Sequence, residues 1–278
     1  MRRAWPRATM IEALLALLFG LLIGSFLNVC VYRWPRDLSV VKPRSHCPSC
    51  GTMIAGYDNI PVLSFLLLRG RCRHCKARIP VRYPIVELLT GALFFNFVYA
   101  LGPGVAALKM CVLSALLVGL IFSDLEQRIL PDEFTKGGMA LGFLFALFVP
   151  VPDNIGQSLL FLMGVDVNGT AASVAEAACG AVLPAFFLWG GGVLYLKIRH
   201  KDGLGFGDVK LIAMVGSFMG LRGALMTLII GSLSGSILGY GYIKATGKDA
   251  GTYELPFGTF LGLAALLVAV AGKTLLGL

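Results

Sequence analysis

The residue types in this chain that can do chemistry fall into two sets. The first is four cysteines, Cys47-Pro-Ser-Cys50 and, 21 residues later, Cys72-Arg-His-Cys75. Two CxxC turns at this spacing suit four thiolates around one Zn²⁺. Each turn lets two sulfurs converge on one ion, and Gly51 allows a tight turn after the first pair. A full Cys₄ set fills a tetrahedron, so a zinc held this way is structural and not catalytic. His46 and His74 flank the pairs as substitute ligands, and two disulfides are the competing reading of the same spacing. Arg and Lys residues nearby would offset the negative charge of a Zn–Cys₄ centre. Cys30, Cys111 and Cys179 lie in apolar runs and read as small buried hydrophobes.

The second set is acidic. Asp124 ends the apolar run 113–123, and Asp208 closes Gly205-Phe206-Gly207-Asp208 and opens another. A carboxylate at the bilayer centre costs about 2.5–3.5 kcal/mol on insertion scales, so an acid near membrane depth is a functional candidate. Two carboxylates in one site share a proton. Such a pair can activate a water and protonate a leaving nitrogen, which is peptide hydrolysis without metal or serine. The competing reading makes both ordinary helix-boundary acids facing water. Asp132 rivals Asp124, but Pro131 is expected to end the helix and leave Asp132 solvated. Glu87 reads either as a site residue or as a solvated helix end. Lys210 reads either as a charge partner of the acids or as a membrane-face anchor.

Elements that could hold these residues are set by composition. Hydrophobic residues make up 57% of the 278 and charged residues 14%, with mean hydropathy +0.81. Soluble domains are about 45–50% apolar and about 25% charged. Disorder and a single soluble core are both excluded, leaving an all-α polytopic membrane protein. Candidate spans, each needing about 20 apolar residues, lie near 11–32, 83–101, 104–123, 134–151, 173–196, 204–221, 223–243 and 255–276. That makes about eight transmembrane helices. The sixth is the weakest, since its uncharged stretch runs only from Leu211 to Leu221. The first resembles a signal peptide behind Arg2, Arg3 and Arg7, but offers no small-x-small cleavage site.

The net charge of +9 does not imply nucleic acid, because Lys and Arg crowd cytoplasmic loops. Segment 33–82 holds Arg33, Arg36, Lys42, Arg44, Arg69, Arg71, Arg73, Lys76, Arg78 and Arg82, which places it inside. Alternation adds 124–136, 197–210 (with Lys197, Arg199, Lys201 and Lys210) and 244–253 (with Lys244 and Lys248) to that side. Loop 152–172, with no Lys or Arg, goes outside. The Arg-bearing N-terminal tail conflicts with this count unless Met10 is the start. Asp124 and Asp208 then share the cytoplasmic face. The chain divides into a first span (1–32), a small cytoplasmic Cys₄ zinc-binding domain (33–82) and a membrane domain (83–278). Glu254 and Lys244 read as boundary charges.

Six ordered stretches carry a family resemblance. They are GSFLNVCVYRWPR (24–36), CPSCGTMIAGYDNIPVLSFLLLRGRCRHC (47–75), RYPIVELLTG (82–91), SDLEQRILPD (123–132), GLGFGDVKL (203–211) and LPFGTFLG (255–262). With them the chain resembles the type IV prepilin peptidases, bifunctional leader peptidase/N-methyltransferases of the bacterial inner membrane. The resemblance implies a GxGD-type aspartic endopeptidase cutting prepilins and type II secretion pseudopilins after a glycine, on the cytoplasmic side. It maps the catalytic pair to Asp124 and Asp208. It also implies N-methylation of the new N-terminal residue, usually Phe, with S-adenosylmethionine as donor, linked to 1–32, 33–82 and 83–101. No strand precedes a GxGxxG, so no Rossmann-type cofactor site is expected, and no cofactor-binding residues are assigned. Two departures stand out. Loop 152–172 is longer than expected, and Thr259 stands where the family more often has Pro. Two other readings are a preflagellin-type GxGD protease without methyl transfer, and a zinc-containing membrane adaptor or transporter.

Overall fold

The computed structural model describes residues 8–200, 204–247 and 255–275. Arg2, Arg3, Arg7, Lys201, Gly203, Lys248 and Glu254, used above in the charge count and motifs, lie outside the described residues. Two compact units emerge, Met1–Phe122 and Ser123–Leu278. Among the described residues no strand forms, as the all-α reading expects. Two isolated β-bridges occur among these residues, His46 with Met53 and Arg71 with Arg78.

In the first unit, α1 (Met10–Arg33) starts at a capping box. Thr9 Oγ1 accepts from the Glu12 amide at 3.3 Å, and Glu12 Oε2 accepts from the Thr9 amide at 2.7 Å. The loop after α1 contains the short helix α2 (Leu63–Leu67) and leads into α3 (Arg82–Leu101). Helix α4 (Val105–Gln127) follows, its residues from Ser123 on belonging to the second unit. Gly20-Leu-Leu-Ile-Gly24 on α1 is a GxxxG surface that lets α3 approach. A Cβ at Gly20 would lie 2.8 Å from the Gly91 Cα, and one at Gly24 would lie 2.7 Å from the Glu87 Cα. Dispersion between close backbones is the main attraction available where lipid is as apolar as the side chains. Buried Arg33 fastens the start of the loop by donating to the carbonyls of Ser39 (2.8 Å) and Pro43 (2.7 Å).

The second unit holds α5 (Asp132–Ala146), α6 (Ile155–Leu162), α7 (Thr170–Arg199), α8 (Phe206–Thr246) and α9 (Phe257–Leu275). Helices α7 and α8 cross where Gly180 meets Gly216 and Gly220, with no room for a Cβ at either partner. Gly231, Gly235 and Gly239, four apart on α8, face Leu261, Phe260 and Leu255, the last just ahead of α9.

Among the described residues five helices are long and apolar enough to cross a bilayer: α1, α3, α4, α7 and α8. The eight expected spans are not confirmed in number, and they differ from these five in their boundaries. The sixth and seventh, 204–221 and 223–243, run end to end as α8 and part at Gly220 (φ 74°, ψ −173°). The weak hydropathy of the first leg has a physical reason, since Leu211 through Gly220 are all buried in protein. Expected span 134–151 is the 15-residue α5, and α9 contributes a shorter apolar run, Phe257–Gly272. Loop 152–172 is not all loop, because its run Ile155–Leu162 forms α6.

Buried carboxylates anchor helix starts in this unit. Glu176 of α7 accepts from the amides of Gly156 (3.0 Å) and Gln157 (2.8 Å) at the start of α6. Asp153 accepts from the Arg222 amide (2.9 Å), just past the Gly220 break. Both satisfy amides that a helix start leaves without a partner.

Candidate functional site

The four cysteine sulfurs lie within 4.8 Å of one another, and all four are free thiols. Cys47 Sγ and Cys75 Sγ are 3.8 Å apart. Four sulfurs at the usual Zn–S distance of about 2.3 Å stand about 3.8 Å apart in a tetrahedron, so the donor set fits a zinc ion. A disulfide would need sulfurs at about 2.05 Å.

The two knuckles are built alike. The Cys47 amide donates to the Thr52 carbonyl (2.9 Å) and the Cys72 amide to the Ala77 carbonyl (2.8 Å). Gly51 (φ 70°) makes the tight turn expected of it, and Lys76 (φ 61°) takes the same left-handed place in the second knuckle. Hydrogen bonds from Thr52 lower the Cys50 thiol to about 6, and the Cys75 and His74 amides lower that of Cys72. Both shifts favour the thiolate, the form that binds metal, while, against a backbone hydrogen bond from Ala77, desolvation and hydrogen bonds with the other three sulfurs raise the Cys75 thiol to about 11. The His46 ring nitrogen Nδ1 sits 3.2 Å from the Arg44 carbonyl, and neither histidine joins the cluster. Asp58 pairs with the Arg73 guanidinium at 2.6 and 2.7 Å, tying the intervening turn to the second knuckle.

Both acids lie in the second unit. Asp124 projects from the last turns of α4 and Asp208 from the first turn of α8, and they are 6% and 7% exposed. Neither is an ordinary boundary acid facing water. Leu130 packs against both Gly207, beside Asp208, and Gly258, which abuts the Asp124 carboxylate. Asp124 Oδ2 accepts from the Thr259 amide at 2.6 Å and from the Thr259 hydroxyl at 2.8 Å. Asp124 therefore caps α9, a role its position in the sequence did not suggest.

The glycines around the acids allow close approach. A Cβ at Gly258 would lie 3.2 Å from the Asp124 Cγ, and one at Gly205 would lie 3.3 Å from Asp208 Oδ2. Leu130 packs against both Gly207 and Gly258, at 3.1 and 3.0 Å from their missing Cβ positions. Sequence reasoning missed Leu130 and passed over Thr259 as a departure. Their signal was adjacency to the LPD and FG strings.

Asp132 is exposed and paired with Lys136 (2.6 Å) and with Lys210. Lys136 first, and then Lys210, hold its carboxyl below the usual range. Lys210 is thus a partner of Asp132 and not of the buried pair. Pro131 does not end α4. That helix stops at Gln127, Arg128 turns left-handed (φ 57°), and Pro131 instead precedes α5, which Asp132 opens. Glu87 is not a solvated helix end either. It is 7% exposed, and its Oε2 accepts from the Val62 amide at 2.7 Å.

Residues 18–101 match the bacterial peptidase A24 N-terminal domain and residues 111–240 match the type IV leader peptidase family. A prepilin leader peptidase/N-methyltransferase of Pseudomonas putida is 34% identical over 93% of this chain and 90% of that relative. The protein of that name from Aeromonas hydrophila is 33% identical over 94% and 91%. One from Myxococcus xanthus is 39% identical over 85% of this chain and 64% of its own length. No solved structure matches the chain significantly. A multi-pass helical membrane protein with a four-cysteine cluster and a buried aspartate pair is what the fold and site define, and the chain belongs to the type IV leader peptidase family.

Proposed function

We propose that this chain is a bifunctional enzyme that removes the leader from type IV prepilins and type II secretion pseudopilins, cutting after a glycine, and then N-methylates the new N-terminal residue, usually Phe. The observation that carries the peptidase reading is the burial of two carboxylates, Asp124 and Asp208, on two helices whose neighbouring glycines, Gly258 and Gly207, both pack on Leu130. One carboxylate takes a proton from water as the water oxygen bonds to the scissile carbonyl carbon, and the other gives its proton to the carbonyl oxygen. As the adduct collapses one of its hydroxyls returns a proton to the second carboxylate and re-forms a carbonyl, the C–N bond breaks, and the proton taken from water passes to the leaving amine. Exclusion of bulk water strengthens both transfers.

Cys47, Cys50, Cys72 and Cys75 hold a structural Zn²⁺ that fixes segment 33–82. S-adenosylmethionine supplies the methyl group when bound. With no strand among the described residues, a Rossmann-type site for it is not among them. The names of the relatives, which join both activities, support this reading over a preflagellin-type protease or an adaptor. Mass spectrometry of a co-expressed prepilin tests it. The pilin is expected to lose its leader and gain about 14 Da, the mass that one methyl adds to an amine. A pilin with its leader intact would overturn the peptidase reading.

The Lys and Arg distribution supports an inner-membrane enzyme with segment 33–82 and both acids facing the cytoplasm. Cysteines introduced at Val41 and Val165, exposed at 76% and 48%, test the orientation. An impermeant maleimide added from the periplasm is expected to label Val165→Cys and to spare Val41→Cys. The opposite pattern would invert the topology.

A further inference from the structure

We infer that Thr259 is a positioning residue for the peptide hydrolysis: its amide and hydroxyl together clamp Oδ2 of Asp124, so that Oδ1 is the oxygen that works on water. The inference rests on the peptidase reading above. Both donors converge on one carboxylate oxygen, at 2.6 and 2.8 Å, and Thr259 is 5% exposed. An oxygen that accepts two strong hydrogen bonds has both lone pairs engaged. It is a poor base for a third proton, and the activation of water falls to Oδ1.

Two features separate this from plain helix capping. The amide alone would satisfy the start of α9, since a cap needs one donor and one acceptor. The hydroxyl adds nothing the helix requires, yet it is spent on the same oxygen. The turn that carries Thr259 is also fixed sideways. Gly258 lets the backbone lie against the Asp124 carboxylate, and Leu130 wedges between Gly258 and Gly207, the neighbours of Thr259 and Asp208. A carboxylate turns about a broad, roughly two-fold torsion unless it is held. Here it is held by two donors on one oxygen, with the Gly258 backbone close against its Cγ.

Steady-state cleavage of a prepilin by the purified full chain tests this. Thr259→Val keeps the amide and the shape and removes the hydroxyl. Its kcat is expected to fall about tenfold, the worth of one hydrogen bond to a charged group, with KM within about twofold because the residue acts through Asp124. Thr259→Ser restores the donor and is expected to return kcat to within about threefold of the parent. Thr259→Ala, which removes the hydroxyl and cannot collide with anything, repeats the test should the valine variant fail to fold. A hydroxyl-free variant that folds and keeps the parental kcat would overturn the inference. So would a folded Ser variant as slow as the Ala variant, which would make the residue one of packing only. Asp124→Asn and Asp208→Asn are assayed beside these. If they cleave normally the peptidase reading itself fails, and if they are dead while Thr259→Ala is not, only the clamp fails.

Discussion

Asp208→Asn and Asp124→Asn are each expected to lower prepilin cleavage by about 10³-fold or more, within the range of general acid–base contributions and their joint loss. The two act as a unit, so the double variant is expected to be little worse than either single one. Asparagine retains a carbonyl oxygen, so at position 124 it can still accept from the Thr259 amide and keep α9 in place. Both variants should therefore insert in the membrane and keep their metal. Asp124→Ala would lose the cap as well, at a cost of about 0.5–2 kcal/mol in stability. Asp132→Asn is the internal control. Its carboxylate is exposed and already committed to Lys136 and Lys210, so most activity is expected to remain. Cleavage assayed on matched amounts of membrane-inserted protein reads all of these. An inactive Asp132→Asn beside an active Asp124→Asn would move the first acid to position 132. Full cleavage by Asp208→Asn would remove the aspartic mechanism.

The zinc cluster gives the second large effect. Elemental analysis of the purified chain is expected to find about one zinc, from a set of four sulfurs that completes one tetrahedral site. Cys72→Ser is expected to lower that content, and the pair Cys47→Ser with Cys72→Ser to abolish it. Binding of structural zinc is worth about 10–16 kcal/mol in small zinc-finger peptides, well above the worth of any single hydrogen bond that holds this segment. Arg33, the Asp58–Arg73 pair and the Glu87–Val62 bond are among the polar ties of the loop. Loss of metal is therefore expected to expose segment 33–82 to limited proteolysis while the membrane helices stay intact. Full zinc content in the double variant would sink the assignment.

The readable parts of the molecule were those in which short-range chemistry decides the outcome. The CxxC pairs had to make knuckles because spacing alone brings their sulfurs together, and the left-handed turn at Gly51 followed from the same spacing. Long apolar runs announced α1, α3, α4 and α7 because hydrocarbon demands length and apolarity. Asp124 and Asp208 could be picked out by position, but the polar partner of Asp124 could not. Thr259 lies 135 residues away from it, and no local pattern shows which helix start a distant carboxylate will cap. Asp153 and Glu176 escaped notice for the same reason. A hydropathy reading treats an acid beside a helix as water-facing, whereas here each satisfies amides of another segment. Pro131 misled because a helix can stop earlier for its own reasons, and Arg128 takes the left-handed turn before the proline is reached.

The break at Gly220 divides α8 into two unequal worlds. Its first leg, Phe206 to Met219, is about 21 Å long at 1.5 Å per residue, shorter than the roughly 30 Å of hydrocarbon in a bilayer. In α1 and α7 only 33% and 28% of the most apolar stretch is buried, so lipid is their main solvent, while for α8 the figure is 67%. With Leu211 through Gly220 wholly enclosed, the solvent of this leg is protein. The stretch that follows Asp208 is thus shielded from acyl-chain length and headgroup type, and membrane composition acts on it only through the residues packed around it.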